Sequence, residues 1–155
     1  MPIVRITEKE HIDKLMPLIV EMRGEADCTA SRIPFNHEAA RNYIDFAVTH
    51  PDTFGGFLYL EEDGTATGFI GGYVSPVWSN PEALIAYDFG FYTQPHKRGS
   101  MAGLRLLRAY EKWAKQVGVS VINIEVRADI DNEAAIKFLE GVGFRCEGTP
   151  MYKEL

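Results

Sequence analysis

Apolar residues recur along this chain with two different periods, and the switches between them mark the elements. Residues 3–6 form a short apolar strand candidate. Ile12, Leu15, Met16, Ile19 and Met22 then recur at helical spacing, which predicts a helix ending near Gly24. Thr7, with Glu10 three residues on, has the capping-box spacing. Residues 26–35 are polar and irregular, with Pro34 as a breaker. Asn36 is placed to cap a second helix carrying Ala39, Ala40, Tyr43, Ile44 and Ala47, closed by His50-Pro51. Residues 54–60 and 67–74 read as a hairpin around the Asp63-Gly64 turn. Gly71-Gly72 in its second strand predicts a bulge or a close approach by another group.

Residues 75–82 contain two prolines and read as a loop, with Trp78 either folded onto the core edge or standing on a substrate-side rim. Residues 84–93 are rich in aromatic and β-branched side chains and predict a strand, which Pro95 ends because proline has no N–H for a ladder. An amphipathic helix follows, with Leu104, Leu107 and Trp113 on its apolar side. Residues 120–126 predict another strand. Asn132 is placed to cap a last helix that turns Ala135, Ile136, Leu139 and Val142 inward. Residues 144–155 read as a final strand pair around a 148–150 turn. The order β-α-α-β-β-β-α-β-α-β(-β) predicts an α/β sheet of mixed direction. No repeat or linker divides the 155 residues, so one domain over 1–155 is expected.

Composition narrows the class without naming it. With 46% hydrophobic and 25% charged residues the chain is an ordinary globular one. No apolar run is long enough to cross a bilayer, so no membrane partner is expected. The first residues turn charged too soon for a secretory signal. Cys28 and Cys146 match no metal or redox spacing and read as reduced thiols in a cytoplasmic protein. No metal is expected. A net charge of −6 argues against nucleic acid as a partner and mildly favours a cationic substrate such as an amine.

The most informative stretch joins the 84–93 strand to the next helix. It reads Lys97-Arg98-Gly99-Ser100-Met101-Ala102-Gly103. Amides at a helix N-terminus lack partners inside the helix, and the dipole adds partial positive charge there. Small residues let a phosphate come close, and Lys97 and Arg98 add full charges, so the stretch suits a pyrophosphate. It equally suits a plain strand-to-helix turn with surface cations. Neither of the two common nucleotide-loop spacings is present.

What the stretch resembles is the acetyl-CoA loop of the GCN5-related N-acetyltransferase (GNAT) superfamily. The matching residues are Phe91-Tyr92-Thr93-Gln94-Pro95, then His96-Lys97, then Arg98 to Gly103; Met101 departs from the family's usual glycine. Residues 123–144 resemble the family's second signature through Ile124-Glu125-Val126-Arg127, Asn132, Ala135, Gly143 and Phe144. The resemblance implies a single-domain, largely antiparallel mixed sheet with helices on both faces. It implies acetyl-CoA as cosubstrate, held by Phe91, Tyr92, Thr93, Lys97, Arg98, Gly99, Ser100, Met101, Ala102, Gly103 and Asn132. The pyrophosphate would lie on the amides of residues 98–103. The pantetheine arm would lie between the strands at 91–93 and 120–126.

The same resemblance implies direct attack of an amine on the thioester, without an acyl-enzyme. An ammonium has no lone pair, so a base must take its proton. Glu125 is one candidate, expected among apolar strand neighbours, where a carboxylate is costly without a purpose or a partner such as Arg127. Asp88, in the central strand, is the other; it could instead simply bond the backbone. The family's usual proton donor is a tyrosine in the last helix, where this chain has Leu139. Tyr152 or Tyr92 could substitute. The implied activity is acetyl transfer to a small-molecule amine, a peptide N-terminus or a lysine. The alternative is a catalytically weakened CoA-binding or protein-interaction module of the same fold. Association as a homodimer is left open.

Overall fold

The computed structural model describes residues 2–126 and 130–155. Its elements run β1 (Ile3–Arg5), α1 (Lys9–Glu25), α2 (His37–Ala47), β2 (Phe54–Leu60), β3 (Ala66–Val77), β4 (Asn80–Thr93), α3 (Ala102–Gln116), β5 (Val121–Asn123) and α4 (Asn132–Gly141). The strands form one sheet in the order β1-β2-β3-β4-β5. All neighbours are antiparallel except β4 and β5, which run parallel. The chain is thus a single α/β domain with a mixed, mostly antiparallel sheet. No helix among the described residues is long and apolar enough to cross a membrane.

The sheet buries both faces. On one, Ile12, Leu15 and Leu18 of α1 and Ile44 of α2 pack against Leu58, Phe69 and Tyr92. On the other, Leu106, Leu107, Tyr110 and Trp113 of α3 and Leu139 of α4 pack against Phe57, Ile70 and Ala86. Four helical stripes at 3.6-residue spacing meet strands of period 2, and burial of their apolar area drives the assembly.

Four expectations are corrected. Thr7 does not cap α1; the capping position is Glu8, which makes no side-chain cap bond, and the Thr7 N–H instead faces His11 Nδ1 at 3.3 Å. Residues 75–82 are not a loop. β3 runs to Val77 and β4 starts at Asn80, leaving Trp78-Ser79 as the turn, with the register shift between Pro76 and Val77 accommodating the prolines. Trp78 is 94% exposed, so it does not fold onto the core edge. The cap of α4 is Asp131, not Asn132. Asp131 adopts φ 49°, and its side chain accepts the Ala134 N–H at 3.4 Å; short polar residues tolerate this left-handed region best.

The last correction concerns the strands after α3. β5 pairs only over residues 121–123, and residues 144–155 join no ladder among the described residues. Ile122, Ile124 and Val126 nonetheless all pack against the α3 side of the core. The alternation reports which face a residue uses, not whether its backbone is paired. In the tail, Met151 and Leu155 are exposed, so no buried face holds a strand pair there.

Gly71 and Gly72 sit where the β3–β4 register shifts, as their pairing predicts. A Cβ on Gly71 would lie 2.4 Å from the Phe89 ring. One on Gly72 would lie 2.1 Å from the Tyr87 carbonyl oxygen and 2.2 Å from the Tyr110 hydroxyl. Backbone cannot move aside cheaply, so Gly72→Ala should cost about 1–3 kcal/mol in urea denaturation, in the range of overpacked cores. An unchanged midpoint would show that the strands yield without strain.

Candidate functional site

The site begins with a change of phase in β4. Gly71 pairs with Gly90 and Gly72 with Asp88, so Phe89 has no partner on β3. Such a bulge adds one residue and re-aims everything after it. Its effect is visible in the side chains. Ala86 and Phe91 face α3, while Phe89 and Tyr92 face α1. Phe89 stacks on Phe54 and Phe69 there, at centroid distances of 6.1 and 6.3 Å.

The β4–β5 ladder ends at the same place, at Tyr87 and Asn123. Beyond it, the Asp88 carboxylate accepts the Glu125 N–H at 2.9 Å. A side-chain oxygen therefore takes the Glu125 N–H where a strand carbonyl would, and among the described residues the ladder does not continue past Asn123. Among the described residues, 91–93 pair with β3 on one side only. Their other edge opens into a cleft of about 550 Å³. Unpaired strand edges of this kind accept an added strand.

The turn after β4 closes one end of the cleft. Gly99 has φ 78°, a backbone conformation that favours glycine. Ser100 Oγ accepts the Ala102 N–H at 3.2 Å. The first carbonyl-bonded amide of α3 is Arg105, on Met101 O at 3.0 Å. The preceding amides of Gly103 and Leu104 belong to the unsatisfied first turn of the helix, where the dipole favours an anion. Gly103 lines the cleft, and a Cβ on it would sit 3.8 Å from both Phe91 and Phe138.

Both cations of the turn already have carboxylate partners. Lys97 Nζ lies 2.8 Å from Glu61 Oε1, which also accepts the Thr67 hydroxyl at 2.7 Å. These bonds hold the Glu61 carboxyl below its ordinary range and push Lys97 up. Arg98 Nη2 donates to Glu25 Oε2 at 2.6 Å, and its Nε donates to Thr93 O at 3.2 Å. The Tyr92 hydroxyl donates to the other oxygen of Glu25. Burial pushes Glu25 up, but the Tyr92 and Arg98 bonds outweigh it and leave the carboxyl below its usual range. Burial, then the Glu25 bond, push the Tyr92 phenol well above its ordinary value.

The sequence-selected residues divide accordingly. Asp88, Phe91, Tyr92, Thr93, Lys97, Arg98, Gly99, Ser100, Gly103, Glu125 and Asn132 all border the cleft. Ala102, the first residue of α3, is buried, and neither it nor Met101, 55% exposed, is among the lining residues. Tyr152, 50% exposed in the tail, does not line the cleft either. Tyr92 has its ring in the α1 core and its hydroxyl on Glu25, so it is not poised as a proton donor. Glu125 is exposed, not enclosed by its apolar neighbours: Ile124 and Val126 point into the core and Glu125 points away. Its suggested partner Arg127 lies outside the described residues. Glu25 and Glu61 were not selected from the sequence. An acidic residue at the end of an amphipathic helix, or in a turn, has no local pattern that separates it from a solubilising charge.

A splayed parallel strand pair ending against an amide-bearing helix N-terminus is a frame for a nucleotide-linked, extended ligand. Comparison with known proteins identifies the class. Residues 20–144 match the acetyltransferase (GNAT) family, and the chain belongs to it. Among solved structures, a Pyrococcus furiosus protein classed as an acetyl transferase is similar, with 23% identity, a TM-score of 0.73 and coverage of 99% of this chain and 98% of that one. AAC(6')-Iy, bound to the bisubstrate analogue CoA-S-monomethyl-acetylneamine, shares 16% identity with a TM-score of 0.75, covering 99% and 97%. Aminoglycoside 6'-N-acetyltransferase AAC(6')-Ih from Acinetobacter baumannii shares 16% identity with a TM-score of 0.73, covering 99% and 96%. At these identities the likeness shows the fold. No curated protein matches the sequence.

Proposed function

We propose that this chain transfers an acetyl group from acetyl-CoA to a primary amine, by direct attack in a ternary complex. The observation that carries the reading is the joining, in one cleft, of the open edge of β4 at 91–93 and the unsatisfied first turn of α3. Structural relatives support it: AAC(6')-Iy has been solved with CoA and with a bisubstrate analogue, and a soil metagenomic aminoglycoside acetyltransferase with sisomicin.

In this reading the pyrophosphate lies on the turn at residues 98–103 and takes the unsatisfied first-turn amides of α3, those of Gly103 and Leu104. The edge of β4 hydrogen-bonds the pantetheine arm as an added strand, and Asn132 at the start of α4 bonds it from the far side. Phe91 and Phe138, 6.2 Å apart between ring centroids, give the cleft an apolar wall. Glu125, on the exposed rim, takes the ammonium proton, directly or through a water. Asp88 keeps the strands apart. Leu139, 7% exposed, cannot protonate the departing thiolate, and a CoA thiolate is stable enough to leave without a dedicated acid.

Buried Leu139, at the position where the family's tyrosine is expected, also favours a second reading, a CoA-binding module with weakened catalysis. Thiol release from acetyl-CoA against a panel of amines, neamine and sisomicin included, separates the two. Release with any acceptor well above the hydrolysis rate supports the transferase. CoA binding without release against every amine supports the module, and failure to bind CoA at all overturns both.

A further inference from the structure

Resting on the CoA-binding reading above, we infer that Glu25, at the last turn of α1, is a positioning residue that sets cofactor affinity by clamping Arg98 to the end of β4. Among the described residues, Glu25 meets the turn through the Arg98 side chain. It acts through Arg98, the residue immediately before Gly99.

The observations are geometric. One Glu25 oxygen takes the Arg98 guanidinium at 2.6 Å and the other takes the Tyr92 hydroxyl. Arg98 Nε meanwhile bonds Thr93 O at 3.2 Å, and its guanidinium carbon lies 5.6 Å from the Tyr92 ring centroid. A single carboxylate thus joins three things: the last turn of α1, the last residues of β4, and the entry to the turn. Next door, Gln94 donates to both oxygens of Glu21, at 3.1 and 2.8 Å, a second tie between the same two segments. Inside the turn, Ser100 Oγ donates to Lys97 O at 2.6 Å and accepts the Ala102 N–H at 3.2 Å, which ties residues 97–102 to one another but not to β4. The turn's backbone bonds are Lys97 N–H to Gln94 O at 2.8 Å, Arg98 N–H to Pro95 O and Ser100 N–H to Lys97 O, both at 3.2 Å. After these, Gly99 takes its left-handed conformation. Glycine in the chain lowers the cost of that conformation but not the entropy of fixing it. Something outside the turn must hold the amides in place before the phosphates arrive, and preorganisation of that kind converts directly into affinity.

Two roles for Arg98 are thereby separated. Were Arg98 a phosphate ligand, Glu25 would be its competitor, and loss of Glu25 would strengthen CoA binding. Held on three sides by Glu25, Thr93 O and the Tyr92 ring, it is instead the inner end of a clamp. The phosphates then rest on backbone amides, and Arg98 and Glu25 contribute as one unit.

The test is a double-mutant cycle on the full chain, read as equilibrium affinity for CoA and, by displacement, for pantetheine, which lacks the pyrophosphate. Glu25→Gln and Arg98→Gln should each weaken CoA by about tenfold, the range of one charge-assisted bond. The double variant should be no worse than either single one. Pantetheine affinity should not move, and a general loss of structure would move both. Tyr92→Phe, which keeps the Glu25–Arg98 pair, should lose less than Glu25→Gln. Tighter CoA binding in Glu25→Gln, or additive losses in the double variant, would overturn the clamp and return Arg98 to the phosphate. Unchanged CoA affinity in both single variants would also overturn it. Failure of the unmutated chain to bind CoA would instead remove the cofactor reading on which the clamp rests.

Discussion

A Gly103→Trp variant should keep its fold and lose CoA binding. Gly103 is the second residue of α3 and faces the cleft. Its φ is an ordinary one, so the backbone does not require glycine there. A Cβ would meet Phe91 and Phe138 only at 3.8 Å, which is normal contact, so the packing does not require glycine either. The remaining reason for the missing side chain is access to the first-turn amides of α3. A bulky replacement fills that approach, while Gly103→Ala removes a flexible residue from a helix. Alanine should raise stability by up to about 0.5–1 kcal/mol in urea denaturation and still weaken CoA. Opposite signs on stability and affinity are what distinguish a ligand-facing glycine from a structural one. Gly99 is the contrasting case: its φ of 78° makes any replacement strained although nothing lies within 4 Å of a Cβ, so Gly99→Leu should lose both. Calorimetry with CoA decides the matter, and unchanged affinity in Gly103→Trp would move the phosphates off this turn.

How much of this was legible in the sequence follows from what each signal measures. Helical stripes and strand alternation report burial, and burial is two-faced here, so the helices, β2 and the start of the hairpin could be read directly. Asn36 was legible as a cap because its own side chain does the capping, accepting the Ala39 N–H at 2.9 Å. Gly71-Gly72 announced the bulge because only a missing Cβ admits Phe89 and Tyr87 so closely. The splay was legible only in part. Ile122, Ile124 and Val126 alternate as though the strand continued, yet pairing stops at Asn123, because Asp88 reaches across where the ladder would go. Periodicity carries no information about that substitution of one acceptor for another.

The candidate turn stands out in the sequence for a different reason than the fold. A turn of small residues between a strand and an amphipathic helix has a physical use that does not depend on distant partners. What holds that turn does depend on them. Glu25 and Arg98 are 73 residues apart, and so are Glu21 and Gln94. Long-range pairs leave no trace in local composition, so the two cations looked available to a phosphate when each already had a carboxylate. A local effect, not a distant partner, explains Glu125. Apolar neighbours on either side suggested enclosure, but in an extended segment residues i±1 point to the opposite face.

That correction sharpens the comparison between the two carboxylates at the centre of the proposed reaction. Glu125→Gln should cut turnover by roughly two orders of magnitude, the usual size of a general-base effect, with little change in acetyl-CoA affinity. Glu125 stands on the open side of the cleft, its backbone fixed by the bond from its own N–H to Asp88. An exposed carboxylate on a fixed backbone can receive a proton from an incoming ammonium and pass it to solvent. Asp88 is placed for another task. One of its oxygens is occupied by the Glu125 N–H, and its side chain is the shorter. Asp88→Asn retains a carbonyl oxygen to accept that bond, so the splay should persist and turnover should fall less than in Glu125→Gln. Asp88→Ala removes the bridge, and there the loss should appear as weaker acetyl-CoA binding, because the slot between β4 and β5 is no longer held open. Steady-state turnover across pH, with the best amine from the panel, separates these roles. A larger fall in turnover in Glu125→Gln than in Asp88→Asn, at unchanged acetyl-CoA affinity, marks Glu125 as the base. If Asp88→Asn proves the slower enzyme and Glu125→Gln runs near its normal rate, the assignments exchange: the carboxylate that bridges the strands would then also take the proton, and Glu125 would serve only to present its N–H.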